Sequence, residues 1–569
     1  MEPSSSQQRG QHHRAVMVWR EGPAGVREQG KVAEGSHGKL GEPPVSSVRK
    51  SERANPMKQG PEQRSTPPRS SVSENSRGTE VSRAEPQSTG AEKDRGSLSR
   101  RIVALESGET DPREPVSSEG SGRVAGASSE TRVGPEPMES VSTRRRRIEL
   151  VAQRHPNEPL TALHHHMDLN WMHEAYRRVR KDAAPGIDGQ TVAEYGENLT
   201  GNLRDLLARA KSGRYQAPPV KRAYVPKNDK EDRPIGLPTV EDKILQRAVT
   251  MVLEPIYELE FQPFSFGFRP GRSPHQALGY LRAQCHAQET EWILEVDLRK
   301  FFDTVDHRQM QELLRHRVQD GVITRLVGKW LKAGVWEKGT VSYPEAGTPQ
   351  GGVASPLLSN IYLHEVLDKW FVAAVQPACR GRTFMVRFAD DFVMGFERLE
   401  DAEKVRRVID KRFARFGLKI NADKTRLVRF KRPSNYGGAP GGQAGTFDFL
   451  GFTLHWGKSR RGFQVVMMRT ARQRFTRVLL ALKEWGRENR HLPLQEQQRQ
   501  LNEKLRGHDA YYGVAFNYRM LQRLRWEVHR LWRRWLARCN RTGARNWDQF
   551  HALRRVFPLL PPRIIHPCL

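Results

Sequence analysis

Cysteine is scarce. The 569 residues hold four, Cys285, Cys379, Cys539 and Cys568, and no two stand at the spacing of a Cys-x-x-Cys zinc pair. No disulfide framework is expected, and a reducing compartment fits. There is also no apolar run of about 18 residues, as a membrane-crossing helix requires, and no basic, apolar, small-residue order of a secretory leader. A soluble, cytoplasmic protein of the bacterial cytosol or nucleoid, with no membrane partner, is expected. No G-x-G-x-x-G follows an early strand-like run, which argues against a doubly wound dinucleotide fold. Acidic residues are few relative to basic ones, 65 Asp and Glu against 95 Lys and Arg, which leaves a formal charge of +30 and a pI near 10.3.

So much positive charge exceeds what solubility needs, and its natural counterion is a polyanion. Nucleic acid is the first candidate. A ribosomal-type structural protein and an anionic membrane surface compete with it, and charge alone does not separate them. The length calls for several domains, because one core seldom serves more than about 250 to 300 residues.

Residues 1–145 are rich in Ser, Gly, Pro, Glu and Arg with almost no apolar periodicity, and are expected to be a disordered extension. It ends in the run Arg144 to Arg147, which could touch RNA but reads more simply as a solvated basic stretch. Over 160–455 helical and strand-like segments alternate. Strands are expected at Trp292 to Val296, Phe384 to Phe388, Phe392 to Gly395 and Thr425 to Phe430. Helices are expected at Glu241 to Leu259 and Pro356 to Phe371. The order suggests an α+β sheet with helices on one face. Over 469–560 the chain reads as helical and basic. Leu521, Leu524, Val528, Leu531, Trp532 and Trp535 mark one apolar face, with Arg523, Arg525, Arg530, Arg533, Arg534 and Arg538 around it. The tryptophans read as core, and the dense cationic face calls for an anion such as a phosphate backbone.

Three aspartates are the most informative feature. Asp297 ends an apolar run, and Asp390 and Asp391 lie between two others, as at a hairpin tip. A lone Asp pair is usually a turn or a cap. Carboxylates converging from two segments need cations, and hard oxygen ligands suit Mg²⁺, with Mn²⁺ as a substitute. Two such ions can clamp the attacking and leaving oxygens of a phosphoryl displacement.

The surrounding motifs decide between these readings. Asp297-Leu-Arg-Lys-Phe-Phe302-Asp resembles motif A of reverse transcriptases. Gly347-Thr-Pro-Gln350-Gly351-Gly-Val-Ala-Ser-Pro356 resembles motif B of the group II intron-encoded type. Phe388-Ala-Asp390-Asp391 resembles the Tyr-Ala-Asp-Asp box, with Phe for Tyr. Leu418-Lys-Ile-Asn421-Ala-Asp-Lys424-Thr resembles motif D, and Phe449-Leu450-Gly451-Phe452 the primer grip. Arg233-Pro-Ile-Gly236, Ser265-Phe-Gly-Phe-Arg269 and Ala184-Pro-Gly186-Ile-Asp188-Gly189 are similar to further blocks of that family, in its order, over roughly 165–460.

The resemblance implies a right-hand polymerase fold: fingers and a palm with an antiparallel sheet, then an α-helical thumb and maturase domain. Asp297, Asp390 and Asp391 would be metal ligands and Lys424 the general acid for pyrophosphate departure. Lys227 and Arg233 would hold the triphosphate, although either could be an ordinary surface cation, as could Lys424. Phe302 would be the steric gate against a 2′-hydroxyl. Gln350 and Gly351 would contact the nucleotide or template, unless the glycines merely form a turn before the next helix. Phe449, Leu450 and Gly451 would grip the primer.

Arg506-Gly507-His-Asp-Ala-Tyr511-Tyr512-Gly resembles the maturase region more weakly. The implied activity is RNA-directed DNA polymerisation, with intron RNA bound to assist splicing and mobility. The implied partners are group II intron RNA, template RNA, a DNA primer or target and dNTPs, and dimerisation is left open. No His-Asn-His endonuclease module is expected at the C-terminus. A splicing-only RNA-binding maturase and a domesticated or CRISPR-linked reverse transcriptase are the competing readings.

Overall fold

The computed structural model describes residues 139–228, 231–348, 350–433, 445–538 and 546–567. Most of the expected N-terminal extension lies outside them, but its last residues do not. Helix α1 (Val141–Arg154) starts at Ser140, whose hydroxyl accepts from the Thr143 amide. The Arg144 to Arg147 run is therefore helical, which corrects the expectation of a flexible stretch. The arginines conceal an inward face, since Arg144, Ile148 and Ala152 recur every four residues and are buried. Arg144 pairs with Asp168 at 2.8 Å and lies over the Trp171 ring.

Helices α2 (Leu169–Arg178), α3 (Val192–Gly196) and α4 (Leu199–Ser212) follow. Next comes an antiparallel hairpin, β1 (Val220–Asn228) and β2 (Glu231–Leu237). Interleaved charges, with Pro226 and Pro234, mask this strand pair in the sequence. Helix α5 (Val240–Tyr257) is buried on nearly every side and receives α1 and α2.

After α6 (Pro274–Ala287) and β3 (Trp292–Asp297), the chain makes α7 (Phe301–Thr304), α8 (His307–Arg315) and α9 (Gly321–Leu331). The short hairpin β4 (Val335–Glu337) and β5 (Thr340–Ser342) joins β1 through a parallel pairing of β4, giving one four-stranded sheet. Helix α10 (Ser355–Leu363) continues into π-helical turns at His364–Asp368 and Phe371–Val375, then α11 (Gln376–Ala378).

Strands β6 (Thr383–Phe388) and β7 (Asp391–Phe396), helix α12 (Leu399–Ala414) and strand β8 (Arg426–Arg429) complete a second sheet in the order β6-β7-β3-β8, antiparallel throughout. Alternate residues of its strands enter different cores. Leu294, Val296, Met385, Phe392 and Met394 join the α5, α10 and α12 side, whereas Ile293, Phe384, Val386 and Val393 join the α6 side. The sheet is thus covered on both faces rather than one, and β3, β6 and β7 are buried almost end to end.

The second cover includes a third sheet, β9 (Phe447–Phe449), β10 (Phe452–Lys458) and β11 (Gln464–Thr470), in the order β11-β10-β9. Helices α13 (Arg472–Asn489), α14 (Leu494–Tyr512), α15 (Tyr518–Arg538) and α16 (Trp547–Val556) end the fold around Phe475, Leu501, Leu524, Val528, Trp532 and Phe550. Trp532 and Trp535 are buried, as core residues. Arg525 departs from the expected cationic face. It is buried and donates to the Leu560 carbonyl at 2.9 Å and to Asp509. Among the described residues no helix is long and apolar enough to cross a membrane.

Candidate active site

The pairing of β3 with β7 sets Asp297 directly opposite Asp391, and Phe388 pairs with Asp391 across the neighbouring hairpin. Asp390 therefore sits in a two-residue turn, after Ala389. Ala389 has a φ of +58°, a left-handed conformation that a residue with a side chain keeps only where its surroundings hold it. Two neighbours do so. Arg387, fully buried, donates to the Ala389 carbonyl at 3.1 Å. Gly267 packs its backbone against the turn so closely that a Cβ there would lie 2.2 Å from the Ala389 nitrogen.

Arg387 is anchored in turn. It donates to Asp368 and, at 3.0 Å, to the Asn360 side-chain oxygen, while the Asn360 amide donates to the Gly267 carbonyl at 2.6 Å. Four residues to which the sequence motifs assigned no task, Gly267, Asn360, Asp368 and Arg387, thus hold the aspartate turn. The available signal was an arginine inside an otherwise apolar strand, which burial obliges to find a partner.

Asp297 is half-buried. Its Oδ2 accepts from Lys424 Nζ at 3.1 Å and from the Asn421 side-chain amide at 3.0 Å. The Asn421 backbone amide also donates to the Asp297 carbonyl at 2.8 Å, so motif D is stitched to the end of β3. Asp391 is exposed at its edge, yet protein crowds round it, and with the charges of Asp390, Asp297 and Glu295 this pushes its pKa up to about 7. Asp390 is also raised, by burial first and then by Asp297, while Arg233 pulls it back. Among the described residues the three carboxylates do not gather all their ligand oxygens within 4.8 Å of one another. Lys424 occupies one side of Asp297. Mutually repelling hard oxygens, only one of them in an ion pair with Lys424, remain a donor set suited to divalent ions.

Phe302 is half-buried in α7 and meets Phe301 edge to face at 5.3 Å. Its carbonyl accepts from the Thr348 amide at 2.6 Å, which ties α7 to the segment before Gln350. The Gln350 carbonyl accepts from the Gly236 amide at 2.6 Å. Gly351 has a φ of +114°, and a Cβ on it would lie 2.4 Å from the Gly236 carbonyl oxygen. Its glycine is required for the turn and also for close approach, but to β2 backbone. Arg233, exposed on β2, is near enough for its charge to act on Asp390. Lys227 lies where the β1–β2 register slips, and its side chain is outside the described residues.

Phe449 closes β9, and Leu450 and Gly451, with φ of +50° and +81°, make the two-residue turn into β10. Strand β9 packs against β7, and the Leu450 amide is near enough to Asp391 to draw its pKa down. The structure thus brings Asp297, Asp390, Asp391, Lys424 and Leu450 together, with Arg233 in electrostatic range, while Phe302 is tied to Thr348 and Gln350 and Gly351 to Gly236 of β2.

Two family models match the chain: reverse transcriptase (RNA-dependent DNA polymerase) over residues 225–454, and the group II intron maturase-specific domain over 475–553. Protein YkfC of Escherichia coli is 36% identical over 296 residues, which cover 45% of this chain and 76% of that protein. The group II intron-encoded protein LtrA of Lactococcus lactis is 36% identical over 231 residues, 39% of this chain and 37% of that protein. The nuclear intron maturase 4 of Arabidopsis thaliana mitochondria is 29% identical over 154 residues, 27% of this chain and 19% of that protein. The match thus spans three quarters of the first relative but little more than a third of the second.

Proposed function

Because this chain belongs to the reverse transcriptase (RNA-dependent DNA polymerase) family and carries a group II intron maturase-specific domain, we propose that it copies RNA into DNA and holds an intron RNA to assist its splicing and mobility. The observation that carries the polymerase reading is the register that sets Asp297 against Asp391, with Asp390 in the adjoining turn. In this reading β3, β6, β7 and β8 are the palm of a right hand. The β1–β2 hairpin with its helices forms the fingers, and α13 to α15 form the thumb and maturase region.

The family implies a divalent metal. Asp297, Asp390 and Asp391 would hold two Mg²⁺ ions, which supply charge neutralisation for in-line attack and departure. Around them the chain's own groups do the rest. Crowding and mutual repulsion disfavour the charged forms of Asp390 and Asp391, a cost that bound cations would relieve. Lys424, already beside Asp297, is placed to give a proton to the leaving pyrophosphate. Arg233 and Lys227 bind the triphosphate, and Phe302 rejects a 2′-hydroxyl. Gln350 and Gly351, sewn to β2, place template and nucleotide. Phe449, Leu450 and Gly451 set the primer end.

The exposed arginines of α15, Arg523, Arg530, Arg534 and Arg538, supply phosphate contacts for structured RNA. The working location is the cytosol. Primer extension on an RNA template with dNTPs and Mg²⁺, beside Asp390→Ala and Asp391→Ala, tests the reading. Extension by wild type that is lost in both variants is the expected result. Well-folded wild type that never extends would leave the splicing-only maturase.

A further inference from the structure

Helix α14 ends at Tyr511 and Tyr512, and Tyr511 reaches the grip turn: its hydroxyl donates to the Leu450 carbonyl at 2.8 Å. Strand β9, which runs into that turn, packs against β7, and the Leu450 amide is near enough to Asp391 to draw its pKa down. Leu450 therefore stands between the basic helical region and the aspartates, with one polar group turned toward each. Its left-handed φ of +50° is a conformation that needs outside support. The adjoining Gly451 carbonyl accepts from the Ala471 amide at 3.0 Å, and on the α14 side the Tyr511 hydroxyl bonds the turn while the Tyr512 hydroxyl lies close to Gly451.

Tyr511 is itself held from several directions. Its carbonyl accepts from His275 Nε2, on α6, at 2.8 Å, and its ring stacks on Phe452 with centroids 5.7 Å apart. Two residues on, the Gly513 carbonyl accepts from the Ile565 and His566 amides at 2.7 and 2.9 Å. His566 donates to the Ala510 carbonyl at 3.0 Å and stacks on His275 at 3.7 Å. Three segments far apart in the chain converge on the end of α14. Burial, then the neighbouring Tyr512, raises the Tyr511 pKa above the ordinary phenol value, so the hydroxyl stays a donor at neutral pH. Packing alone would not require it, because phenylalanine fills the same space. What the oxygen adds is a bond to Leu450.

We infer that Tyr511 is a positioning residue for nucleotide addition, its hydroxyl holding the Leu450–Gly451 turn in place against Asp391. The inference rests on the polymerase reading above. It assigns to a residue of the maturase side a part in the polymerase reaction, carried by the backbone of one turn. Loss of the hydroxyl would let that turn relax, shifting both the primer end and the carboxylate on which metal binding depends.

The test is single-turnover extension by the full chain bound beforehand to an RNA template and DNA primer. It compares wild type, Tyr511→Phe and Tyr518→Phe, the last removing an exposed hydroxyl of α15. Tyr511→Phe is expected to lower the rate constant at saturating dNTP about five-fold, the scale of one hydrogen bond. It is also expected to raise the Mg²⁺ concentration for half-maximal rate, with the Tm and the Kd for primer–template unchanged. Tyr518→Phe should match wild type. His275→Phe, which removes the donor to the Tyr511 carbonyl and leaves the phenol in place, should move the same two readouts in the same direction by less. A hydroxyl with only a structural role would lower the Tm or the fraction of active protein and leave the rate constant and Mg²⁺ half-point alone. That result for Tyr511→Phe overturns the inference. Absence of extension by folded wild type would overturn the polymerase reading, and the inference with it.

Discussion

Arg387 donates to both carboxylate oxygens of Asp368, at 2.8 and 2.5 Å, and neither side chain is reached by solvent. Burial alone would raise the Asp368 pKa, but the guanidinium beside it holds the carboxyl below the usual range. A pair of this kind is weak evidence for stability as it stands but costly to break, because the surviving charge is left buried and alone. Here it also places a third arginine donor on Ala389.

Arg387→Met is therefore expected to destabilise the fold by about 3–5 kcal/mol, and Asp368→Leu with Arg387→Met by less than Arg387→Met alone. Urea unfolding of the single and double variants measures both. Extension by Arg387→Met should also fall at temperatures where it remains folded, since the aspartate turn loses a support. A double variant no more stable than the single one would show that the buried charges are not the source of the cost.

Phe302 is fixed through its ring against Phe301 and its carbonyl on Thr348. Phe302→Ala should open the space beside the sugar without moving the aspartates. Single-nucleotide incorporation is expected to show the preference for dNTP over rNTP, as a ratio of kcat/KM, falling by about 10²-fold. An unchanged ratio would remove Phe302 from the discrimination step.

Asp320 caps α9 and also accepts from the backbone and ring of His164. Burial pushes its pKa up, but the Ile323 and His164 amides and the His164 ring outweigh it, so the folded value lies below the ordinary 3.8. The sign follows from linkage: a depressed carboxyl adds stability that is present above its unfolded pKa and is lost as pH falls through the folded one. Asp320→Asn should lower the Tm at pH 7, and the gap from wild type should narrow on acidification below about pH 4. A gap independent of pH from 7 to 2.5 would assign the loss to packing.

Apolar flanks make the strand-end position of Asp297 and the hairpin-tip position of Asp390 and Asp391 legible in the sequence, whereas singling them out as a site takes the resemblance to reverse transcriptase motifs. The helix expected at Glu241 to Leu259 appears as Val240–Tyr257, for a similar reason: its apolar residues run through the whole window. Elsewhere the pattern concealed the structure. The four arginines at 144–147 look like a solvated run until one sees that Arg144 lies in line with Ile148 and Ala152. The β1–β2 hairpin is broken up by charge and proline, and its pairing with β4 is a contact across more than a hundred residues. The supports of the site, Asp368 to Arg387 and Tyr511 to Leu450, are long-range hydrogen bonds between residues whose types admit many partners. Spacing along one chain does not choose among them.

The bond from His566 to the Ala510 carbonyl spans 56 residues of chain. A ribosome adding about 5–20 residues per second takes roughly three to eleven seconds to cover that distance. During that interval α14 has been made but the segment around Ile565 and His566 that clamps its end has not. The clamp on the end of α14, and with it the full support of the Leu450–Gly451 turn, is therefore completed only after every residue of the β3–β7 pairing has been made. A nascent chain would thus have all the residues that set Asp297 against Asp391 before it had those that fix the end of α14.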